Sequence, residues 1–180
     1  MKKLITVLLI LISTIGFAQD QNDLKSILSL ETGFLGLWLG YEQPISNKFL
    51  VKAQYGQEFG LYAQTVEGSG FFSTGTLSLE TRYFYNREKR ASLEKSIINN
   101  SGNYLAIELQ RVPDILTTNE GDRILIITKS NTLIPKIGMK RNLGNLFTYE
   151  IAGGIGYAWN DNRENTLAIG LDLKIGLILF

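Results

Sequence analysis

Large aliphatic residues alternate strictly with small or charged residues along the last segment of the chain. Every odd position from Leu167 to Leu179 is Leu or Ile, and the positions between them include Asp172 and Lys174. A period of two places these two sets on opposite faces of a β-strand. The aliphatic face is too apolar and too long for a solvated sheet, whereas the charged residues would be costly to bury in a dry core. The pattern therefore predicts a strand of a transmembrane β-barrel, with lipid outside and polar groups inside.

The same alternation predicts further strands throughout the chain. Six of them cover residues 35–42, 49–61, 77–85, 104–112, 132–140 and 147–159. Because bacterial single-chain barrels have even strand numbers, residues 24–31 are expected to form a short first strand that reverses at Thr32-Gly33. The predicted fold is all-β, an antiparallel up-and-down transmembrane barrel of eight strands. The alternative is one long strand over residues 28–45, in a seven-stranded or open arrangement.

The connections between the predicted strands are of two kinds. Tight turns rich in Pro, Asn and Gly are expected at 44–48 and 141–145, and longer polar or Gly/Ser-rich loops at 65–75, 113–123 and 160–165. Bacterial barrels place short turns in the periplasm and longer loops outside. The exception is the charged connection 86–100, which lies on the turn side and is expected to form one or two helical turns.

Aromatic residues cluster near both predicted strand ends, as the interfacial girdles of a membrane barrel do. Those assigned to the turn side are Tyr41, Phe49, Tyr83, Tyr85, Tyr104, Phe147 and Tyr149. Those assigned to the loop side are Phe59, Tyr62, Phe71, Phe72, Tyr157 and Trp159. The alternative interpretation is an ordinary aromatic-rich β-core.

The first residues have the organisation of a secretory signal. Lys2 and Lys3 precede an apolar run over 4–12, and Gly16-Phe17-Ala18 places small residues at the two positions that a signal peptidase reads. We therefore expect a signal peptide at 1–18, a barrel domain at 19–180 and localisation in the cell outer membrane.

Composition excludes several function classes. The chain has neither cysteine nor histidine, so thiol chemistry, the commonest general base and the commonest metal ligand are missing. Two of the 18 basic side chains lie in the predicted signal, and the rest nearly balance the 17 acidic ones, which argues against nucleic acid as a partner. Ser73 and Ser130 are candidate nucleophiles for a lipid-modifying enzyme, but the sequence identifies no base that would activate either of them. We predict a non-enzymatic protein that needs no cofactor or metal.

The inward positions of the predicted strands carry the only chemical constellation. It consists of Lys52, Glu58, Glu80, Arg82, Glu108, Lys136, Lys140, Glu150, Asp172 and Lys174. An eight-stranded barrel is just wide enough for side chains to fill, and buried charges must be paired to persist. The prediction is a packed network of ion pairs that closes the lumen. A narrow polar path and a carboxylate-based site are the alternatives.

Several stretches resemble a known family. The run ETRYFYNREKR at 80–90, followed by NSGNYL at 100–105, resembles a poorly characterised family of small outer-membrane β-barrel proteins of Gram-negative bacteria. The stretches GFLG at 33–36 and PKIGMKRNLG at 135–144 are also similar to that family. The resemblance implies an outer-membrane barrel and supplies no activity or catalytic residue.

The expected partners follow from this location. Phe180 is predicted to serve as the signal for the barrel-insertion machinery, although it is one residue out of register with Leu177 and Leu179. Outer-membrane lipid and lipopolysaccharide are the other expected partners, the latter at the loop over 64–73, and the chain is expected to be a monomer. A soluble periplasmic lipocalin-like barrel that binds an apolar ligand, and a narrow pore, are the alternative functions.

Overall fold

A computed structural model describes residues 23–34, 36–64, 68–113, 118–120, 129–160 and 165–180. The predicted signal peptide at 1–18 lies outside the described residues. Within those residues the chain forms eight long strands and one short one. They are β1 (Ile27–Gly33), β2 (Gly36–Pro44), β3 (Phe49–Gln64), β4 (Gly68–Phe84), β5 (Gly102–Val112), β6 (Thr118–Glu120), β7 (Ser130–Leu143), β8 (Phe147–Asn160) and β9 (Asn165–Ile178).

The eight long strands close into an antiparallel β-barrel, as predicted. Each pairs with the next long strand along the chain, and β1 pairs with β9 from Ser29–Ile178 to Gly33–Lys174, which closes the sheet. The short β6 extends the sheet beside the upper part of β4. Among the described residues, none belongs to a helix with the length and apolarity needed to cross a bilayer.

The strands are strongly staggered around the barrel. Leu30 pairs directly with Leu177, but following the register from Leu30 through the six other long strands leads to Asn165, twelve residues earlier in β9. Closing a barrel with such a stagger requires tilted strands. Residues distant in sequence therefore meet at one height in the lumen.

The first hairpin confirms the eight-strand prediction and rejects the single long strand over 28–45. Its bounds differ from the prediction, because Thr32 and Gly33 belong to β1 and the chain turns at Phe34 instead. Gly33 is needed for packing and not for a turn. A Cβ there would lie 3.1 Å from the ring of Trp38 and 2.7 Å from a backbone oxygen of β9.

Two predicted loops are partly strand. Residues 68–75, predicted as loop because of their Gly and Ser content, pair with residues 57–64 and extend the β3–β4 hairpin. The predicted loop over 113–123 contains β6, which pairs with Phe71–Ser73. Backbone pairing with a neighbouring strand overrides the local turn signals in both places. Residues 65–67 of the predicted lipopolysaccharide contact lie outside the described residues.

The aliphatic positions lie on the outer face, as the period of two predicts. The relative exposures of Ile107, Ile155 and Ile169 are 59%, 61% and 77%. Leu171 and Leu173 are exposed, whereas Asp172 between them is buried. Phe180 lies beyond the end of β9 and its carbonyl accepts a hydrogen bond from the Leu28 N–H at 3.0 Å.

The turn-side end of the barrel is sealed by the connection between β4 and β5. It contains helix α1 (Arg87–Ser92), in agreement with the expected helical turns, and a 3-10 turn over Ile98–Asn100. The amide nitrogen of Asn100 donates to the carbonyl of Lys25 at 2.8 Å, and the Lys25 N–H donates to the Asn100 side-chain oxygen at 2.8 Å. These reciprocal bonds hold Leu24, which is fully buried, against the end of the barrel.

Candidate functional site: the charged lumen

The strands carry nine of the ten predicted lumen residues to buried positions, and the tenth, Glu58, is half-buried. They fall into two clusters. The lower cluster, nearer the tight turns, contains Lys52, Glu80, Arg82, Lys140 and Glu150. The upper cluster contains Glu108, Lys136, Asp172 and Lys174. Glu58 lies above both, towards the loop end.

Arg82 is the centre of the lower cluster. Its two terminal nitrogens donate to the two carboxylate oxygens of Glu150 at 2.8 and 2.6 Å, and its Nε donates to Glu80. A planar guanidinium is suited to this bidentate geometry. Because Arg82 lies on β4 and Glu150 on β8, this ion pair connects two strands across the lumen that β5 and β7 separate along the wall.

The lower cluster also contains two carboxylates that the sequence analysis did not predict, and each of them pairs with a lysine. Lys52 contacts Glu31 at 2.8 Å, and Lys140 contacts Glu42 at 2.7 Å. Both carboxylates are buried, at positions where β1 and β2 face inward. The period of two could have found Glu42, since it follows the outward residue Tyr41.

Tyr104 also belongs to the lumen, so its predicted place in the turn-side aromatic girdle is wrong. Its ring lies 4.3 Å beneath the Arg82 guanidinium, and its hydroxyl donates to Glu150 at 3.0 Å. Tyr104 is fully buried because it has the same parity along β5 as Glu108. Proximity to a strand end alone does not place a residue on the outside.

The upper cluster is a chain of alternating charges. Lys136 contacts Glu108 at 2.5 Å and Asp172 at 2.6 Å, and Asp172 contacts Lys174 at 3.0 Å. The Lys174 ammonium also lies 4.6 Å from the centre of the Trp38 ring. Each charge in this cluster has an opposite neighbour, which offsets the cost of burial.

Glu58 differs from the other lumen carboxylates. It accepts hydrogen bonds from Gln110 at 3.0 Å and from Thr76 at 3.3 Å. Among the residues that the structure describes, no lysine or arginine lies within ion-pairing distance of it. Glu58 lines a cavity of about 500 Å³ that lies above the upper cluster.

Arg87 closes the lumen from the turn side. Its guanidinium donates to the carbonyls of Ile97 at 2.9 Å, Ser101 at 3.1 Å and Asp23 at 3.2 Å. Burial lowers the pKa of Arg87 to about 10, so the group is still protonated at neutral pH and able to donate. The turn-side closure therefore depends on one charged side chain and several backbone carbonyls.

The arrangement holds its charges in ion pairs. Within the described ranges, no group of three or more His, Cys, Asp or Glu side chains is placed to hold a metal ion. The Ser73 hydroxyl accepts a hydrogen bond from Gln57 at 3.0 Å, and Ser130 begins β7 at the loop end. Both serines lie towards the loop end of the barrel, above the charged clusters.

The fold and the lumen together define an eight-stranded antiparallel β-barrel with a buried network of ion pairs. No family model matches the chain, and comparisons with curated proteins and with solved structures find no match.

Proposed function

We propose that the chain is a non-enzymatic β-barrel of the bacterial outer membrane, with a structural or interaction role at the cell surface and a lumen that is closed by ion pairs. The observation that carries this proposal is the distribution of polarity. Aliphatic side chains cover the outside of the barrel, and charged side chains fill its inside. This is the reverse of a water-soluble barrel and the usual arrangement of a membrane one.

The outward apolar surface favours a lipid environment. Among the described residues, exposed Leu and Ile side chains occur on seven of the eight long strands, and β3 exposes Phe49 and Tyr55 instead. Soluble monomers rarely expose contiguous apolar patches larger than a few hundred Å². The lipocalin-like alternative requires the opposite facing, with residues such as Leu171 pointing inward and Asp172 pointing to water. Their observed exposures favour the membrane proposal.

The lumen favours a closed barrel over the alternative of a narrow pore. The side chains of Arg82, Tyr104 and Lys52 are all essentially inaccessible to solvent, and they lie between the turn-side seal and the upper cavity. An ion crossing this layer would have to displace a guanidinium that is bonded to two carboxylates. We therefore expect no measurable ion conductance.

Cell fractionation combined with a gel-mobility assay tests the proposal. We expect the chain in the outer-membrane fraction, extractable only with detergent, and migrating differently on a denaturing gel before and after boiling. Recovery from the periplasm without detergent would contradict the membrane location and favour the lipocalin-like alternative.

Planar-bilayer recording tests the closed lumen separately. The wild-type protein is expected to give no single-channel events. The variant Arg82→Ala, which lacks the largest side chain of the central layer, is the positive control. Conductance steps from this variant would show that inserted protein is detectable in the recording. Regular conductance steps from the wild type would contradict the closed lumen and support the pore.

A further inference from the structure

We propose that the barrel binds a single-chain amphiphile with a cationic head group through a gap in its wall. The ammonium head would lie in the upper cavity beside Glu58, and the alkyl chain would pass out through the gap along the aliphatic outer surface. The inference rests on the proposed membrane location, since it requires the outer face of the barrel to contact lipid.

The gap results from the shortness of the first hairpin. β1 ends at Gly33, opposite Lys174 of β9, and β2 begins at Gly36, opposite Glu58 of β3. Above these positions, and considering only the described residues, 165–173 of β9 pair with β8 alone and 59–64 of β3 pair with β4 alone. We call the opening between these two strand edges, above Gly33 and Gly36, the notch.

The notch needs polar groups to fill it. The outward side chains beside it, Leu167, Ile169 and Leu171, are among the most exposed aliphatic residues of the barrel. Their surface belongs in the hydrocarbon layer of a bilayer, where an unpaired sheet edge is not tolerated without hydrogen-bonding partners. Since no described strand supplies these partners, water or the polar part of a ligand would supply them from the inside.

The cavity behind the notch has two kinds of surface. Its inner wall carries polar side chains, among them Glu58, Gln110 and Thr132. Its outer rim carries apolar ones, namely Phe34, Ile169, Leu171 and Leu173. A volume of about 500 Å³ is within the usual range for small-molecule sites. An amphiphile matches both surfaces at once, whereas a wholly polar or wholly apolar ligand matches one.

Charge complementarity selects a cationic head group. Among the described residues, the cavity is lined by the carboxylates of Glu58, Glu108 and Asp172 and by two ammonium groups, those of Lys136 and Lys174. Both lysines are paired with Glu108 or Asp172, so within the part of the chain that the structure describes Glu58 has only the neutral donors Thr76 and Gln110. A ligand ammonium would supply the missing positive charge and donate directly to the Glu58 carboxylate.

Trp38 provides a reporter inside the site. Its side chain lines the cavity and packs against the glycines of the first hairpin, immediately below the notch. The other tryptophan, Trp159, lies in β8. The substitution W159F therefore leaves Trp38 as the single source of tryptophan fluorescence.

The experiment measures quenching of Trp38 in lipid nanodiscs by three brominated twelve-carbon probes, an amine, an alcohol and a carboxylate. The amine is expected to quench at a concentration at least about tenfold lower than the alcohol, because a charged hydrogen bond is stronger than a neutral one. In the E58Q variant this preference is expected to disappear. The control variant E88Q, which alters an exposed carboxylate on the turn side, should keep it.

A second variant tests the cavity itself. S78F places a large ring in the cavity that Ser78 lines, and it should abolish amine quenching while leaving the gel-mobility shift of the folded barrel intact. Equal quenching by all three probes in the wild-type protein would overturn the inference, and so would an amine preference that survives E58Q. A dimer in native mass spectra without selective quenching would also overturn it, because a second copy of the chain would then fill the notch.

The failure of this inference is distinguishable from failure of the proposed function. A barrel that inserts into nanodiscs and shows a gel-mobility shift, but lacks amine preference, contradicts the amphiphile site alone. A chain that remains soluble without detergent contradicts the membrane location on which the site depends.

Discussion

Replacing Arg82 with methionine is expected to lower the free energy of unfolding by about 3–5 kcal/mol, the usual cost of removing one partner from a buried ion pair. Arg82 bonds to Glu150 through both terminal nitrogens and to Glu80 through Nε. Methionine fills similar space but leaves both carboxylates without this partner. Glu150 retains Lys52 at 3.5 Å and the Tyr104 hydroxyl, so the larger part of the cost should fall on Glu80.

The double variant R82M/E80Q tests this assignment. It removes one positive and one negative charge, so the lower cluster keeps its wild-type net charge. If the cost of R82M comes from a buried carboxylate that has lost its cation, E80Q should recover about 1–3 kcal/mol in the double variant. On its own, E80Q should destabilise the barrel by less than R82M does.

The assay is equilibrium urea unfolding in lipid vesicles, with the folded fraction measured from the gel-mobility shift of unboiled samples. The control is R111M, which changes an exposed arginine that contacts Asn131 at 3.2 Å, and it should alter stability by no more than about 0.5 kcal/mol. An R82M variant within about 1 kcal/mol of the wild type would refute the view that the lumen network holds the barrel together. Lack of any recovery in R82M/E80Q would refute the role given to Glu80.

Three further substitutions examine other parts of the structure. G56A should destabilise the barrel by about 1–3 kcal/mol and shift the fluorescence of Trp38, because the new Cβ would lie 2.1 Å from the Trp38 ring. The matched control is G153A, whose new Cβ would have its nearest neighbouring atom at 3.8 Å. It should change neither the stability nor the fluorescence. R87M removes the charged donor that seals the turn side, so the free energy of unfolding should fall by about 1.5–3 kcal/mol and proteolysis within 86–100 should become faster. An unchanged rate of proteolysis would contradict the role of Arg87 in the seal. I107R places a charge on the outer face and should cost about 2–4 kcal/mol of insertion free energy in lipid, whereas a neutral outcome in a vesicle-folding assay would indicate that Ile107 faces water.

The alternation of residue types predicted much of this architecture. The opposite facing of Leu171 and Asp172 follows directly from a period of two, and so do the buried positions of Lys52 and Arg82. The same rule predicts that Tyr104 faces inward. Its proximity to a strand end had instead suggested a place on the outside. Parity along a strand is the stronger physical constraint, since a shift of one residue moves a side chain to the other face.

Features that depend on contacts between distant strands could not be predicted from local residue patterns. The ion pairs join residues that are far apart in the chain, such as Lys140 and Glu42, and their choice of partner depends on the stagger of the closed barrel. Residues 68–75 carry the composition of a loop, yet they are strand because β3 is long enough to pair with them. The notch exists because the first hairpin is shorter than the strands β3 and β9 on either side of it. The residue pattern of one strand does not reveal this difference in length.

The most direct test of the central claim is to measure which side chains contact lipid. The chain has no cysteine, so single-cysteine variants such as I107C and L171C carry a spin label at one position only. In vesicles, these labels should be broadened strongly by oxygen dissolved in the bilayer and weakly by a water-soluble nickel complex, while a label on the exposed Ser92 of α1, through S92C, should show the reverse. Labels at Ile107 and Leu171 that respond to the nickel complex as strongly as the Ser92 label would contradict a barrel that spans the membrane.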